Sequence, residues 1–474
     1  MASSKTTTDR TLLQMVREET GENASLCYFC KKCTSGCPLS EHMDVAPHQV
    51  MRSIQMNRRD AILSSKTIWI CASCQTCVTR CPQSLDLPRM MDTLKMMARD
   101  EGVECPVPSV PRFTDSTMRW VGWTGRSYEP GLIAELNLRG GQPTKDIGLG
   151  AKLIWRGKLK LTPDFVRYSP PSRRPAIQKD ESIVSYYPGC SLHSTSKDYE
   201  ESVHASMGAL GLKLEEPKGW LCCGSSAAHS VSHVEAAALP MKTLALVRST
   251  GRDTVTTPCP SCYSRMKTAI RDVEADSELA RQVTQETGYA WDGEVSVEHL
   301  LDTVVDKVGI EKISAVVKKP LAGLKVVCYY GCLMTRPAKL TGAKDPEYPM
   351  KMDRLAKALG AEVLDWSYKT ECCGASLSLT DTNLQLEMSS KILQDAKDVG
   401  ADAVVAACPL CHVNLDSRQP QMAKDLGKQF DLPVIYFTQL MGLAFGLEPK
   451  TLGLDKHLVD PMPTLKRVLG ARQP

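Results

Sequence analysis

The sequence predicts an α+β chain of several domains: a helical N-terminal part built on two four-cysteine runs, followed by two copies of one α/β unit. Three observations carry this prediction. The chain has 474 residues, too many for one ordinary core. Of its 20 cysteines, all but Cys105 and Cys328 fall into regular patterns. The second half of the chain also repeats itself.

Composition sets the bounds. Apolar content of 42% and charged content of 24% fit a globular protein. A net charge of +4 does not argue for nucleic acid or an anionic membrane as partner. No stretch reaches about 18 consecutive apolar residues, so no membrane-spanning helix and no direct membrane insertion are expected. The stretch Val434 to Leu447 is interrupted by Thr438, Gln439 and two glycines and reads as a core helix. The N-terminus, MASSKTTTDR, is polar and lacks the apolar region of a secretory signal, so it reads as a loose tail. A cytoplasmic chain is expected. There structural disulfides are disfavoured, and clustered cysteines bind metal or do redox chemistry.

Residues 27–38 read CYFCKKCTSGCP and residues 71–82 read CASCQTCVTRCP. Both follow C-x2-C-x2-C-x3-C-P, the run that holds cubane [4Fe–4S] clusters in bacterial ferredoxins. Three thiolates two residues apart wrap one face of a small cluster. The fourth, beside proline, turns toward the neighbouring cluster. On that logic Cys27, Cys30, Cys33 and Cys81 hold one cubane, and Cys71, Cys74, Cys77 and Cys37 hold the other. A pair of zinc sites would more usually show two C-x2-C pairs per ion. Around the runs the periodicity is helical: Pro47 suits a helix start before Val50, Met51 and Ile54. Pro88 precedes Met90, Leu94 and Met97 at i, i+4 and i+7. The methionines read as core filler. A helical two-cluster ferredoxin domain is expected over 11–104.

Residues 105–180 carry few patterns and read as a linker. From Lys152 to Arg174 there are seven Lys or Arg and one Asp. This is either a docking strip for an acidic partner subunit or a solvated linker draped over the surface.

The repeat follows. Unit one, 181–320, opens on SYYPGC ending at Cys190, passes CCG at Cys222–Cys223 and closes on CPSC at Cys259 and Cys262. Unit two, 321–474, opens on CYYGC ending at Cys332, passes CCG at Cys372–Cys373 and closes on CPLC at Cys408 and Cys411. Each cysteine group follows a short β-like run: Ile183–Tyr187, Leu212–Leu214 and Thr254–Thr256, then Val326–Tyr330, Glu362–Leu364 and Ala403–Val405. Helical patterns such as Val234–Val247 and Leu384–Ala396 lie between, with Gly251 and Gly400 as stop signals. Alternating strands and helices imply a small parallel sheet per unit, with the cysteines at the carboxyl ends of the strands. Five cysteines per unit exceed the four that a cubane or a structural zinc takes. A C-x-x-C redox pair or a vicinal disulfide would leave three thiols idle, so the count favours a cluster of unusual shape.

These residues resemble a known family. The double pattern C-x31–39-CC-x34–36-C-x2-C is similar to the CCG domains of the B-type chain of heterodisulfide reductase. The first hundred residues, with CYFCKKCTSGCP, PHQVM and SSKTIWICASCQTCVTRCP, resemble its C-type chain. Iron–sulfur subunits of glycolate and lactate oxidation complexes share the CCG architecture but more often depart from the full double set, which is complete here. The resemblance implies a fused C–B chain in which each five-cysteine set binds a non-cubane [4Fe–4S] cluster. One set is Cys190, Cys222, Cys223, Cys259 and Cys262; the other is Cys332, Cys372, Cys373, Cys408 and Cys411. It implies that the two clusters face each other across a small-molecule disulfide and each supplies one electron. The two cubanes would be fed by a flavin-containing A-type subunit of a hetero-oligomer.

Some residues have double readings. His193, His229, His233 and His412 are placed to bond a cluster sulfur or protonate a leaving thiolate, or are simply structural. Lys197 and Arg336, just past the opening cysteines, suit an anionic substrate tail or a surface salt bridge. Cys328, which aligns with Tyr186, reads as a core thiol, and Cys105 as a bystander. Three functions compete: disulfide reduction or its reverse, a pure electron relay in a larger complex (to quinone, acyl-CoA or a hydrogenase module), and a structural zinc protein.

Overall fold

In both four-cysteine runs, the second and fourth residues after the first cysteine turn left-handed: Phe29 and Lys31 (φ 65° and 63°), Ser73 and Gln75 (φ 50° and 62°). Such backbone costs a non-glycine residue roughly 1 kcal/mol or more. Its recurrence at matching positions means that one thiol-directing turn has been built twice. The computed structural model describes residues 10–470. The N-terminal tail, but for Arg10, and residues 471–474 of the second repeat lie outside the described residues.

The runs are carried by a small helical body made of Leu12–Thr20, Pro47–Gln55, Arg59–Leu63, Lys66–Ile70 and Leu87–Asp100. Thr11 caps the first helix, accepting from the Gln14 N–H while the Gln14 side chain returns to the Thr11 N–H. Pro47 opens the second, and Asp86 caps the last through the Arg89 N–H. Val50, Met51, Ile54, Met90, Leu94 and Ala98 form its buried core, so the methionines are filler as expected.

The two repeats share one strand order. Unit two holds a four-stranded parallel sheet, β6-β5-β7-β8, from β5 (Lys325–Tyr329), β6 (Glu362–Val363), β7 (Ala403–Ala406) and β8 (Val434–Tyr436). Unit one holds β1 (Ile183–Ser185) beside β2 (Lys213–Glu215), and β3 (Thr254–Thr257) beside β4 (Ser296–His299), all parallel. A single bridge from Tyr186 to Thr256 joins the two pairs into the same order. All four β7 residues are buried, as befits a parallel strand covered on both faces. The helices His233–Ser249 and Thr382–Asp398 occupy the expected places, ending before Gly251 and Gly400 with φ 76° and 79°.

Two expectations need correction. The stretch Val434 to Leu447 is not one helix: Val434–Tyr436 is strand β8, and the helix spans Phe437–Ala444. A β-branched and aromatic triplet pairs with β7 before the chain turns helical. The segment 105–180 is not a solvated linker. It forms the helices Ser109–Thr124, Glu129–Arg139 and Ile147–Trp155 and clamps both repeats. The Gly125 carbonyl accepts from the Cys222 N–H at 2.9 Å, and Arg126 lies 3.5 Å over the Trp220 ring. Asp146 pairs with Arg418 at 2.9 Å. Lys158, from the basic strip, is fully buried and pairs with buried Asp198 at 2.8 Å.

The largest core joins the repeats. Tyr199 stacks on Tyr436 with centroids 3.9 Å apart, Ser202 bonds Thr438 at 2.6 Å, and the Ser206 hydroxyl donates to the Thr438 carbonyl. This seam holds the two repeats together.

Candidate functional site

Each five-cysteine set gathers at the carboxyl ends of its strands. Cys190 follows β1, Cys222–Cys223 follow β2, and Cys259 is the N-cap of the helix Pro260–Ala275, with Cys262 in its first turn. Unit two repeats this with Cys332, Cys372–Cys373 and Cys408, the N-cap of Pro409–Ser417. A helix N-terminus presents free N–H groups and favours thiolate. Proline as the first helical residue leaves no orphan donor there.

The sulfurs converge. Cys223 and Cys262 Sγ are 3.3 Å apart, and Cys373 and Cys411 Sγ 3.4 Å. Backbone N–H groups point at them: Ser127 to Cys190 Sγ at 3.3 Å, Gly224 to Cys222 Sγ and Gly374 to Cys372 Sγ, both at 3.4 Å. Asn414 Nδ2 lies 3.7 Å from Cys373 Sγ. Gly189 and Gly331, both left-handed, leave room for the sulfurs: a Cβ at either would sit 3.0 Å from Cys262 Sγ or Cys411 Sγ. Interaction with Cys222, then burial, pushes Cys190 and Cys223 well above the ordinary thiol range. Cys222, accepting from both, is held well below it. Buried thiols that oppose each other's ionisation are relieved when a cationic metal core takes them as thiolates, so these donors fit an iron–sulfur cluster.

The two sets are neighbours. Cys259 raises the Cys408 thiol electrostatically, behind the larger effect of burial. Tyr199 feels both cysteines and donates to the Ala407 carbonyl at 3.2 Å.

The N-terminal runs lie against the second set. Burial, then Cys74 and Cys71, pushes Cys37 up to about 12. Burial, with Cys74, Cys71 and Cys37 around it, pushes Cys77 well above the thiol range. Cys37 thus lies close to thiols of the second run, Cys74 and Cys71, as well as to Cys33 of its own. Cys33 is raised by burial and by Cys27 and Cys30, and Cys27, Cys33, Cys71, Cys77 and Cys81 all border the core of the helical body. Cys37 and Cys74 pack with Cys332 around Cys372, Leu377 and Leu384. None of the 20 cysteines is in a disulfide. Cys328 is fully buried in the core, and Cys105 sits at the edge of the N-terminal body.

A cavity of about 100 Å³ opens where the three bodies meet. Cys332, Cys372, Cys373, Cys408 and Cys411 line it from unit two, Cys71 from the N-terminal body, and Ser225, His229, Ser261 and Arg265 from unit one. Asp92, on the helix Leu87–Asp100, accepts from Lys95 at 2.9 Å and bonds His229 Nδ1 at 2.8 Å. Burial opposes its charge, but His229 and Lys95 hold the Asp92 carboxyl well below the carboxylate range. Burial outweighs Asp92 at His229 and keeps that ring's pKa low.

The polar residues singled out from the sequence divide. His229 lines the cavity. His193 lies beside Cys190 but faces Glu216 and the Trp220 edge. His233 sits at the seam with the N-terminal body, near Arg89 and Asp272. His412 turns away from the sulfurs: its Nε2 bonds the Val434 carbonyl at 2.8 Å and its ring stacks on Tyr436. Arg336 is no substrate clamp, and its ion pair, with exposed Glu347 at 3.6 Å, is made from a buried position. It is buried, donating to Thr76 Oγ1, the Thr370 carbonyl and Thr370 Oγ1 at 2.8–2.9 Å. Lys197 is exposed at the start of a helix, away from the cavity. Of the two cations lining the cavity, Lys95 is paired with Asp92, and Arg265 has no carboxylate partner among the described residues. It lies one turn after Cys262 on the same helix face, a spacing visible in the sequence.

Comparisons with known proteins agree with this architecture. The chain matches the cysteine-rich domain family, CCG, at residues 184–267 and 326–416, and a 4Fe-4S dicluster domain at 26–86. It is 31% identical over 277 residues to the 8-methylmenaquinol:fumarate reductase membrane anchor subunit of Wolinella succinogenes, covering 58% of this chain and 96% of that one. It is 28% identical over 291 residues to the B-type chain of a ferredoxin/F420H2-dependent CoB–CoM heterodisulfide reductase of Methanosarcina acetivorans, covering 60% and 96%. Its N-terminal part is 32% identical over 95 residues to the C-type chain of the same organism's enzyme, 20% of this chain and 58% of that one. No described helix is long and apolar enough to cross a membrane. The chain thus belongs to the CCG family of heterodisulfide-reductase-type iron–sulfur proteins, with a C-type dicluster domain ahead of two B-type CCG domains.

Proposed function

We propose that the chain reduces a small-molecule disulfide, or oxidises two thiols in reverse, at the seam between its CCG units. The observation that carries this reading is the pair of matched cysteine quintets, the second lining a cavity that the first borders through its flanking residues Pro260 and Ser261. Cys190, Cys222, Cys223, Cys259 and Cys262 hold one non-cubane [4Fe–4S] cluster; Cys332, Cys372, Cys373, Cys408 and Cys411 hold the other. When bound, each supplies single electrons, and two such centres match the two-electron change RSSR′ + 2e⁻ + 2H⁺ → RSH + R′SH. Cys27, Cys30, Cys33 and Cys81, and Cys71, Cys74, Cys77 and Cys37, hold the two cubanes that pass electrons inward from a flavin-containing A-type subunit. The chain's own residues shape the chamber. Arg265 offers a cation to an acidic substrate tail, and the His229–Asp92 pair relays protons to the product sulfurs. The working units are 11–104, 181–320 and 321–474, with 105–180 as a clamp.

The test is to oxidise the purified holoprotein with a panel of thiols and follow EPR. A thiol-dependent paramagnetic centre that is lost in C373S supports catalysis; clusters indifferent to every thiol refute it.

A second reading is a relay with no substrate of its own. The Wolinella relative, named as part of a quinol:fumarate reductase, favours it. On that reading the cavity is sealed by a partner, and reduced holoprotein passes electrons to that partner without consuming any disulfide.

A further inference from the structure

The clamp segment concentrates exposed apolar surface. Half of the large hydrophobic side chains exposed among the described residues lie between positions 123 and 165. In the helix Ile147–Trp155 the amphipathic sense is inverted. Leu153 is buried, but Ile147, Ala151, Ile154 and Trp155 fall at i, i+4, i+7 and i+8 on one stripe, and all four face solvent, Trp155 with 80% of its surface free. Trp123 and Phe165, edge to face at 5.9 Å, add a second exposed apolar pair on the same segment.

The charge here is one-sided. The carboxylates between positions 123 and 165 are already engaged: Glu129 with Thr195, Glu135 with Arg119 and Arg139, Asp146 with Arg418, Asp164 with Arg126 and Lys160. Lys145, Lys152 and Arg167 have no carboxylate partner among the described residues. An apolar stripe edged by tryptophan and flanked by free cations is the make-up of a helix lying in a lipid headgroup layer. Protein interface cores, by contrast, are depleted in lysine. We infer that this face docks in the plane of an anionic lipid surface. Ile154 and Trp155 enter the acyl boundary, and Lys145, Lys152 and Arg167 meet the headgroups. The small net charge of the whole chain conceals this local excess. The inference is independent of the chemistry at the cysteines.

The test is flotation of the full-length holoprotein with vesicles of phosphatidylcholine alone and of phosphatidylcholine mixed with phosphatidylglycerol. Binding to the anionic vesicles only is expected, falling roughly 25-fold in K152Q/R167Q at about fivefold per cation. It should be abolished in I154S/W155S, whose cluster absorbance stays unchanged because both sites are on the surface. A blue shift of tryptophan emission on binding, missing in W155F, locates the contact. Failure of the wild type to float with anionic vesicles overturns the inference, as does equal flotation of I154S/W155S. So does finding the stripe buried against an acidic partner protein while vesicles are ignored.

Discussion

The thiol of Cys74, in the second N-terminal run, lies against the thiol of Cys372, in the second CCG motif. Contact with Cys372 draws Cys74 below the ordinary thiol range, and Cys372, between Cys332 and Cys74, is driven well above it. The dicluster domain therefore abuts the second repeat at its cysteine-bearing edge. Arg336 pins this contact from within, joining Thr76 to Thr370 while almost wholly buried. R336A should cost about 2–4 kcal/mol in holoprotein unfolding, since it strips a buried cation from paired groups. It should also slow reduction of the CCG centres in stopped flow while leaving that of the N-terminal centres intact. Equal slowing of both would show that Arg336 serves stability alone.

Arg265 makes a different prediction. It is the cavity cation without a carboxylate partner, so it discriminates by charge. R265Q should weaken binding of a carboxylate-tailed thiol by about 10- to 100-fold, the range of a charge-assisted hydrogen bond. A neutral thiol of equal length should bind as before. Titration of the oxidised holoprotein followed by EPR separates the two; a parallel loss for both thiols would remove Arg265 from recognition.

How much of this was legible depends on the range of the forces involved. The four-cysteine runs, the CCG pairs and the C-x-x-C pairs rest on short spacings, so they could be read directly, and the pattern of Cys190 predicted that of Cys332. Strand β8 was hidden because Val434–Tyr436 passes into Phe437 with no glycine or proline to mark the change. Strand β4 was hidden by its brevity before Leu300. The clamp was illegible because it is held by distant pairs such as Lys158–Asp198, whose members each look solvent-bound in sequence. Arg336 misled for the same reason: it neighbours Cys332 in the chain, yet its partner Thr76 comes from another domain.

Acid should weaken the fold through buried imidazoles. Burial holds His299 at about 4, while its Nε2 bonds the Pro258 carbonyl and its Nδ1 accepts from the Leu301 N–H. The unfolded ring protonates near pH ~6.5 and the folded ring resists. Its contribution is thus whole above about pH 6.5 and is lost as pH falls toward 4, by about 2–3 kcal/mol. Burial shifts His229 and His233 in the same direction. Urea midpoints measured from pH 7.5 down to 5 should fall less steeply for H299Q than for the wild type. Superimposable curves would mean that His299 is not held neutral by the fold.

The glycine before each opening cysteine gives the sharpest structural prediction. Gly331 has φ 70° and Gly189 φ 76°, and at each an added Cβ would come within 3.0 Å of a quintet sulfur. Alanine there is doubly unfavourable: left-handed backbone costs about 1–2 kcal/mol, and Cys411 Sγ or Cys262 Sγ would have to retreat. G331A should lower iron and sulfide content by the share of one centre, removing the signal of the second quintet and sparing the first. G189A should do the reverse. G208A is the control: helical and with nothing within 4 Å of its Cβ, it should load fully and gain slightly in stability. Full loading of both G189A and G331A would mean that the sulfurs sit farther from these turns in the holoprotein than the fold implies.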